Sequence, residues 1–402
     1  MKTNDYIKDT ESYMVHTYNR FPIVLDYGKG AYLYDIEGKE YLDFGAGIAV
    51  FALGYAHPFY TEKLKMQIEK LVHTSNLFYH SPGARAAKKL VEASKMYRVF
   101  FTNSGAEAIE GAIKSAKKYA YLRDGNTEHE IIAMKGSFHG RTLGALSVTG
   151  NSSYREAFGP MIEGIRFADF NDLESVKSQI TEKTCAIILE PVQGEGGIYP
   201  AKKEFLKGLR KICDEKDILL IFDEIQCGMG RCTELFAWMK YGVKPDILTS
   251  AKALGCGIAV GAFLLNEKVA KASLTVGDHG STYGGNPLAC AAVEAVLTIF
   301  EEEKIVDHVK EISPVFEKAL DGLVAKFSCI KERRGMGLMQ GLVVDSNKAL
   351  AGDIIRTAQK EGLIILSAGK NVLRFVPPLV ITKVEISEML AKMEKSLGQY
   401  ER

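Results

Sequence analysis

The sequence predicts an α/β fold with a mainly parallel central sheet and a smaller α+β part made from both chain ends. Three observations predict it. Apolar runs of strand length recur between residues 98 and 265. Segments with helical spacing lie between many of them, the alternation that builds a sheet covered on both faces. After Pro287 the pattern changes to long helical stretches and a few short strands.

Residues 1–60 carry two aromatic-rich runs, 31–35 and 40–44, on either side of Glu37-Gly38-Lys39. That is a hairpin with a glycine turn, so a β-rich lobe is expected there. Helical spacing covers 61–71, 83–94 and 107–121. Strands are expected at 98–102, 131–133, 165–168, 186–189, 218–222, 247–249 and 260–265. Beyond Pro287 come helices at 289–300 and 305–327, and strands around Arg333 and Leu342. A helix at 348–361, strands at 363–366 and 373–376, and a helix from Lys383 close the chain. The expected division is a large part, 61–287, and a small part from 1–60 and 288–402.

A chain of 402 residues has room for two domains and a large core. Lys+Arg of 51 against Asp+Glu of 50 leaves a net charge of +1, with no electrostatic case for nucleic acid or an anionic membrane. The seven cysteines form no Cys-x-x-Cys pair, and an odd set reads as reduced thiols of a cytosolic protein. The first ten residues are polar, unlike a signal peptide, and the longest apolar runs fall well short of the roughly 20 residues of a membrane span. The eight histidines make no cluster of metal-ligand spacing, so no metal is expected.

Two strand ends carry the chemistry. The run 218–222 ends in Asp223-Glu224, and Asp246 to Ser250 ends in Ala251-Lys252. In open α/β sheets, ligands bind at the carboxyl edge of the strands. A buried acid and a buried lysine facing one crevice suit pyridoxal 5'-phosphate, which needs a lysine amine for its Schiff base and an acid at its ring nitrogen. Asp223 and Lys252 fill those roles. The alternative is a solvated lysine and an ordinary strand-end cap.

Other motifs add to the pair. Ser104-Gly105-Ala106 stands between strand and helix, where backbone N–H groups and the helix dipole hold phosphate; it is equally a plain N-cap. In Phe138-His139-Gly140-Arg141, the ring suits stacking on a heterocycle and the guanidinium suits a carboxylate. Core packing and a surface ion pair are the alternatives. A glycine-rich turn presents Glu195, and Gln226 follows Asp223 closely enough to reach the cofactor's ring hydroxyl. Ser281 and Thr282 lie in a polar turn before Asn286-Pro287, suited to phosphate or carboxylate, or to capping alone. Arg374 sits in an apolar strand and needs an anionic partner, either a bound carboxylate or a structural glutamate.

Taken together these residues resemble the class III (subgroup II) pyridoxal-phosphate aminotransferases. The likeness runs through Ser104-Gly105-Ala106-Glu107-Ala108, Phe138-His139-Gly140-Arg141-Thr142, Glu190-Pro191, Asp223-Glu224-Ile225-Gln226, Lys252, Thr282-Tyr283-Gly284-Gly285-Asn286-Pro287-Leu288 and Arg374. Within the class, Gly228-Met229-Gly230-Arg231 and Leu235-Phe236-Ala237 are similar to the members that act on N-acetylornithine. The resemblance implies the type I, aspartate aminotransferase-like fold and a homodimer with active sites at the interface. It implies that Ser104, Gly105 and Ala106 hold the phosphate, helped by Thr282 of the partner subunit. Phe138 would stack on the ring, with Asp223, Glu224, Ile225 and Gln226 around it and Lys252 forming the Schiff base. Arg141 and Ser281 would contact N-acetylornithine. Arg374 would take the α-carboxylate of glutamate, with Glu195 pairing to it when that carboxylate is absent.

The implied reaction moves the terminal amine of N-acetylornithine to 2-oxoglutarate, giving N-acetylglutamate semialdehyde and glutamate, a step of arginine biosynthesis in the cytoplasm. Ornithine, succinylornithine and 4-aminobutyrate are alternative donors. A non-catalytic ligand-binding regulator on the same fold is the alternative of another class, but no DNA-binding pattern is visible. Cys227, Cys232 and Cys256 depart from the family's usual residues; none replaces a catalytic side chain.

Overall fold

In the computed structural model, which describes residues 2–400, a seven-stranded sheet organises the chain. Its order is Arg98–Thr102, Gly261–Leu265, Ile247–Ser250, Leu219–Asp223, Thr184–Leu189, Glu130–Met134, Ile165–Ala168. All run parallel except Gly261–Leu265, which is antiparallel to both neighbours. These strands lie within two residues of their expected places. Successive side chains feed opposite faces, as strand geometry requires. Ile187, Leu189, Leu220 and Phe222 join the core on one side, and Ala186, Ile188, Leu219 and Ile221 on the other.

Helices cover both faces. Gly105–Asp124 starts at the turn after Arg98–Thr102 and packs against Ile247–Ser250 and Gly261–Leu265. Ser104 caps it by accepting from Glu107 N, and Gly125 ends it in the left-handed conformation. Pro58–Ile68, Ser81–Ser94 and Pro287–Glu302 pack together on the other side.

Three smaller sheets complete the fold, one of them the two-stranded pair Val192–Gln193 and Tyr199–Pro200. Leu25–Lys29, Tyr32–Asp35 and Glu40–Asp43 form a meander whose last strand pairs in parallel with Leu363–Ile364. Ile330–Met336, Met339–Val344, Val372–Phe375 and Leu366–Ala368 form an antiparallel sheet.

Two expectations are corrected here. The chain opens on a helix, Thr3–Tyr13, with none of its residues buried, inside what was expected to be a β-rich lobe. The expected strand at 363–366 is two short strands in two different sheets. Among the described residues, no helix is long and apolar enough to cross a membrane.

Candidate active site

Five strand ends build one pocket of about 450 Å³ at the carboxyl edge of the sheet. Ser104 follows Arg98–Thr102, Phe138 follows Glu130–Met134, and Glu190 follows Thr184–Leu189. Asp223 is the last residue of its strand, and Lys252 stands two residues past Ile247–Ser250. Gly105, Ala106, Arg141, Ile225 and Gln226 also line it. Nine of the sequence-predicted residues therefore share one cavity, although they come from four separate stretches of the sequence.

The acid is held on three sides. Asp223 Oδ1 accepts from Ile225 N at 3.0 Å and from Thr249 Oγ1 at 3.2 Å, and Oδ2 lies 2.7 Å from His139 Nδ1. A carboxylate has about four lone-pair positions, so a fourth partner can still be taken from the pocket. Lys252 has a φ of 50°, the left-handed region that a lysine adopts only when its surroundings enforce it. Burial pulls its amine below the ordinary lysine range, against the pull of Asp223 and Glu195. Lowering the amine's affinity for its proton favours the form that is a nucleophile and a base.

The phosphate-type turn fits a tight cradle. The first N–H groups of a helix have no intrahelical acceptor. Ser104 takes that of Glu107, which leaves those of Gly105 and Ala106 on the pocket wall. A Cβ on Gly105 would meet Ile225 Cδ1 at 2.8 Å, so a larger residue there would have to push the Ile225 side chain aside. Gly140, at φ +134°, closes over the same turn; a Cβ there would meet Ala106 Cβ at 2.8 Å.

The remaining predicted residues divide. Arg374 is buried in Val372–Phe375 and its Nη1 donates to Glu195 Oε1 and, at 3.1 Å, to Gln226 Oε1. Gln226 Nε2 also donates to Glu195 Oε1, at 3.2 Å. The pair thus meets the pocket through Gln226, whose amide is engaged with it. Burial raises Glu195, but the charge and hydrogen bond of Arg374 outweigh that and hold it below the usual carboxylate range. Ser281 bonds Asn103 Nδ2 at 3.2 Å, beside the pocket, while Thr282 is exposed. Glu224 is not on the pocket wall. Its buried carboxylate accepts from the N–H groups of Ala237 and Trp238, capping the short helix Ala237–Tyr241.

Sequence reasoning missed His139, Thr249 and Glu190 as supports. Glu190 is buried and accepts from Phe138 N and Gly194 N, both at 3.1 Å. Burial pushes its carboxyl up to about 7, with the charge of Asp223 adding and His139 and the two N–H groups opposing. The unfolded chain releases this proton near 4.5. The native state therefore holds more protons between those values, and its stability falls as pH rises from about 4.5 to about 7. Glu190→Gln is expected to remove a slope worth on the order of 3 kcal/mol across that window. Thermal midpoints of both proteins from pH 4.5 to 8 check it; parallel curves would contradict it.

A lysine amine, a buried acid and a glycine-lined helix N-terminus around one cavity are the donor set of a pyridoxal enzyme. The model of the family described as aminotransferase class-III matches residues 13–397. The chain is a class-III aminotransferase. This aminotransferase is 48% identical over 395 residues to the acetylornithine aminotransferase of Methanocaldococcus jannaschii, covering 98% of both chains. It is 46% identical to the succinylornithine transaminase/acetylornithine aminotransferase of Pseudomonas aeruginosa, over 98% of this chain and 97% of the other. The ornithine aminotransferase of Toxoplasma gondii, solved with partial occupancy of pyridoxal phosphate at its active site, superposes with a TM-score of 0.96 at 34% identity. That match covers 100% of this aminotransferase and 95% of the other chain. The cofactor is pyridoxal 5'-phosphate, the substrates are small molecules, and the fold is that of pyridoxal-phosphate aminotransferases.

Proposed function

We propose that this aminotransferase moves the terminal amine of N-acetylornithine to 2-oxoglutarate. The observation that carries the reading is the presence of two arginines and one acid: Arg141 at the pocket wall, and Arg374 neutralised by Glu195. Two substrates of different shape must use one pocket. With Glu195 on Arg374, the site accepts a donor whose carboxylate goes to Arg141. With Glu195 displaced, Arg374 takes the α-carboxylate of 2-oxoglutarate in a two-pronged hydrogen bond. The relatives named for acetylornithine support this choice of donor.

When bound, the cofactor supplies an aldehyde for the amino group and a ring that withdraws electrons from the substrate's carbon. Gly105 and Ala106 would hold its phosphate, Phe138 and Ile225 its two faces, Asp223 its ring nitrogen and Gln226 its hydroxyl. Lys252 would attach it covalently. Once the donor's amine has displaced it, Lys252 Nζ, whose proton affinity burial lowers, would take the proton from the carbon bearing the substrate's amine and later return it. Proximity makes that transfer effectively intramolecular.

The same reading divides the chain into a cofactor-binding part, 61–287, and a smaller part from 1–60 and 288–402. It also makes the enzyme a homodimer, with Thr282 of the partner subunit reaching the phosphate. Leu77, Phe78 and Tyr79 support this: they are exposed, Tyr79 at 107%, beside Asn76, which bonds the 281–284 turn. A cytoplasmic setting suits seven buried free thiols.

A donor panel with 2-oxoglutarate tests the reading: N-acetylornithine is expected to give the highest kcat/KM, and ornithine or 4-aminobutyrate leading would contradict it. Glu195→Gln tests the gate. The variant loses the charge that neutralises Arg374, so the ratio of rates among donors is expected to shift by about tenfold or more. Unchanged ratios would argue against a gate.

A further inference from the structure

We propose that Tyr154 is the positioning residue that holds Arg141 ready for the carboxylate of the amino donor. The proposal rests on the role given to Arg141 above. The Arg141 guanidinium carbon lies 3.9 Å from the centroid of the Tyr154 ring and 5.4 Å from that of Phe138. The two rings meet edge to face, with centroids 5.9 Å apart at 84°. Arg141 has no hydrogen bond or ion pair with any described residue. Its anchorage among the described residues is therefore aromatic.

That arrangement has a chemical consequence. A guanidinium offers its hydrogen bonds in its own plane and its face to aromatic rings. Stacking on Tyr154 occupies the face and leaves the fork of N–H donors open for a carboxylate. An unstacked arginine on the protein surface would sample many rotamers, and each donor molecule would have to order it on binding.

The turn that carries Tyr154 is itself fixed at both ends. Asn151 caps it, with Oδ1 accepting from Ser153 N at 3.2 Å and from Ser153 Oγ at 2.9 Å. Tyr154 N donates to Asn151 O at 3.3 Å. On the far side, the Arg155 guanidinium lies 4.3 Å from the ring of Phe167, in the edge strand Ile165–Ala168. The ring is thus tied to the central sheet, as Phe138 is. Tyr154 touches no proposed cofactor group except Phe138, and it lies outside the residues that line the pocket. It acts on the donor through Arg141.

2-Oxoglutarate keeps its α-carboxylate contact with Arg374 and has only its second carboxylate to offer to this clamp, so its binding depends less on Tyr154 than that of the donor. The test is therefore a comparison of the two substrates in the holoenzyme. Tyr154→Leu removes the aromatic face, and the KM for N-acetylornithine is expected to rise about three- to tenfold. The KM for 2-oxoglutarate is expected to rise by a smaller factor than that of the donor, and kcat to stay within about twofold. Tyr154→Phe keeps the face and is expected to restore the donor KM. N-acetylnorvaline, which has the acetyl group and α-carboxylate but no reacting amine, gives a readout without turnover. Its Kd by calorimetry is expected to rise in the Leu variant by the same factor and not in the Phe variant.

A donor KM unchanged in Tyr154→Leu, an equal rise for both substrates, or a Phe variant as weak as the Leu variant would each overturn the positioning role. Arg141→Gln, measured alongside, separates the two levels. If it leaves the donor KM and the N-acetylnorvaline Kd unchanged, the role of Arg141 itself falls, and this proposal with it. If it weakens both while Tyr154→Leu does not, only the positioning role falls.

Discussion

Lys252→Ala is expected to fold and to be inactive. The alanine variant has no amine to attach the cofactor and none to move the proton, so kcat is expected to fall by at least about four orders of magnitude. The side chain it loses makes no hydrogen bond or ion pair with any described residue, so the sheet edge does not depend on it. Binding is a separate matter: Arg374 remains in place, and the Kd for 2-oxoglutarate is expected to change by no more than a few-fold. Single-turnover assays with each substrate, together with calorimetry, check both halves. Transamination retained within a hundredfold of the parent enzyme would show that another group carries the chemistry.

The second large effect is at Asp223. Asp223→Asn keeps the shape of the side chain but removes the charge that the ring nitrogen needs. It also turns one acceptor into a donor, facing Ile225 N, Thr249 Oγ1 or His139 Nδ1. Breaking a buried charge partnership costs about 3–5 kcal/mol, which corresponds to about two to four orders of magnitude in kcat/KM. The loss is expected for every donor alike, because the acid faces the cofactor rather than the substrate. A variant that stays within tenfold of the parent with the cofactor bound would mean that Asp223 is a structural acid, held by three neighbours for the sake of the strand end.

Asp223 and Lys252 were legible in the sequence because buried parallel strands are nearly continuous apolar runs, and a charge that ends such a run must lie at the sheet edge. The same reasoning placed Ser104 and Phe138. It did not reach the direction of Glu224, which follows Asp223 directly but sends its carboxylate to the helix at Ala237 instead of the pocket. Sequence adjacency says nothing about side-chain direction once the strand has ended. His139 was visible inside its motif, yet its bond to Asp223 spans 84 residues, and no spacing rule reaches that far. The direction of Gly261–Leu265 was hidden for a similar reason: an apolar strand buried on both faces reads the same whichever way it runs. The helix Thr3–Tyr13 buries no residue, so it has no apolar stripe from which to be recognised. Tyr154 was silent because its partners, Phe138 and Arg141, are brought to it by a loop tied down at Asn151 and Phe167.

The role of Lys252 can be read directly, without an activity assay. The enzyme loaded with pyridoxal 5'-phosphate is treated with borohydride, which fixes the link between aldehyde and amine, and is then digested and mapped by mass. The account predicts the added mass of the reduced cofactor on the peptide containing Lys252. The same mass on a different lysine, with the Lys252 peptide unmodified, would contradict it.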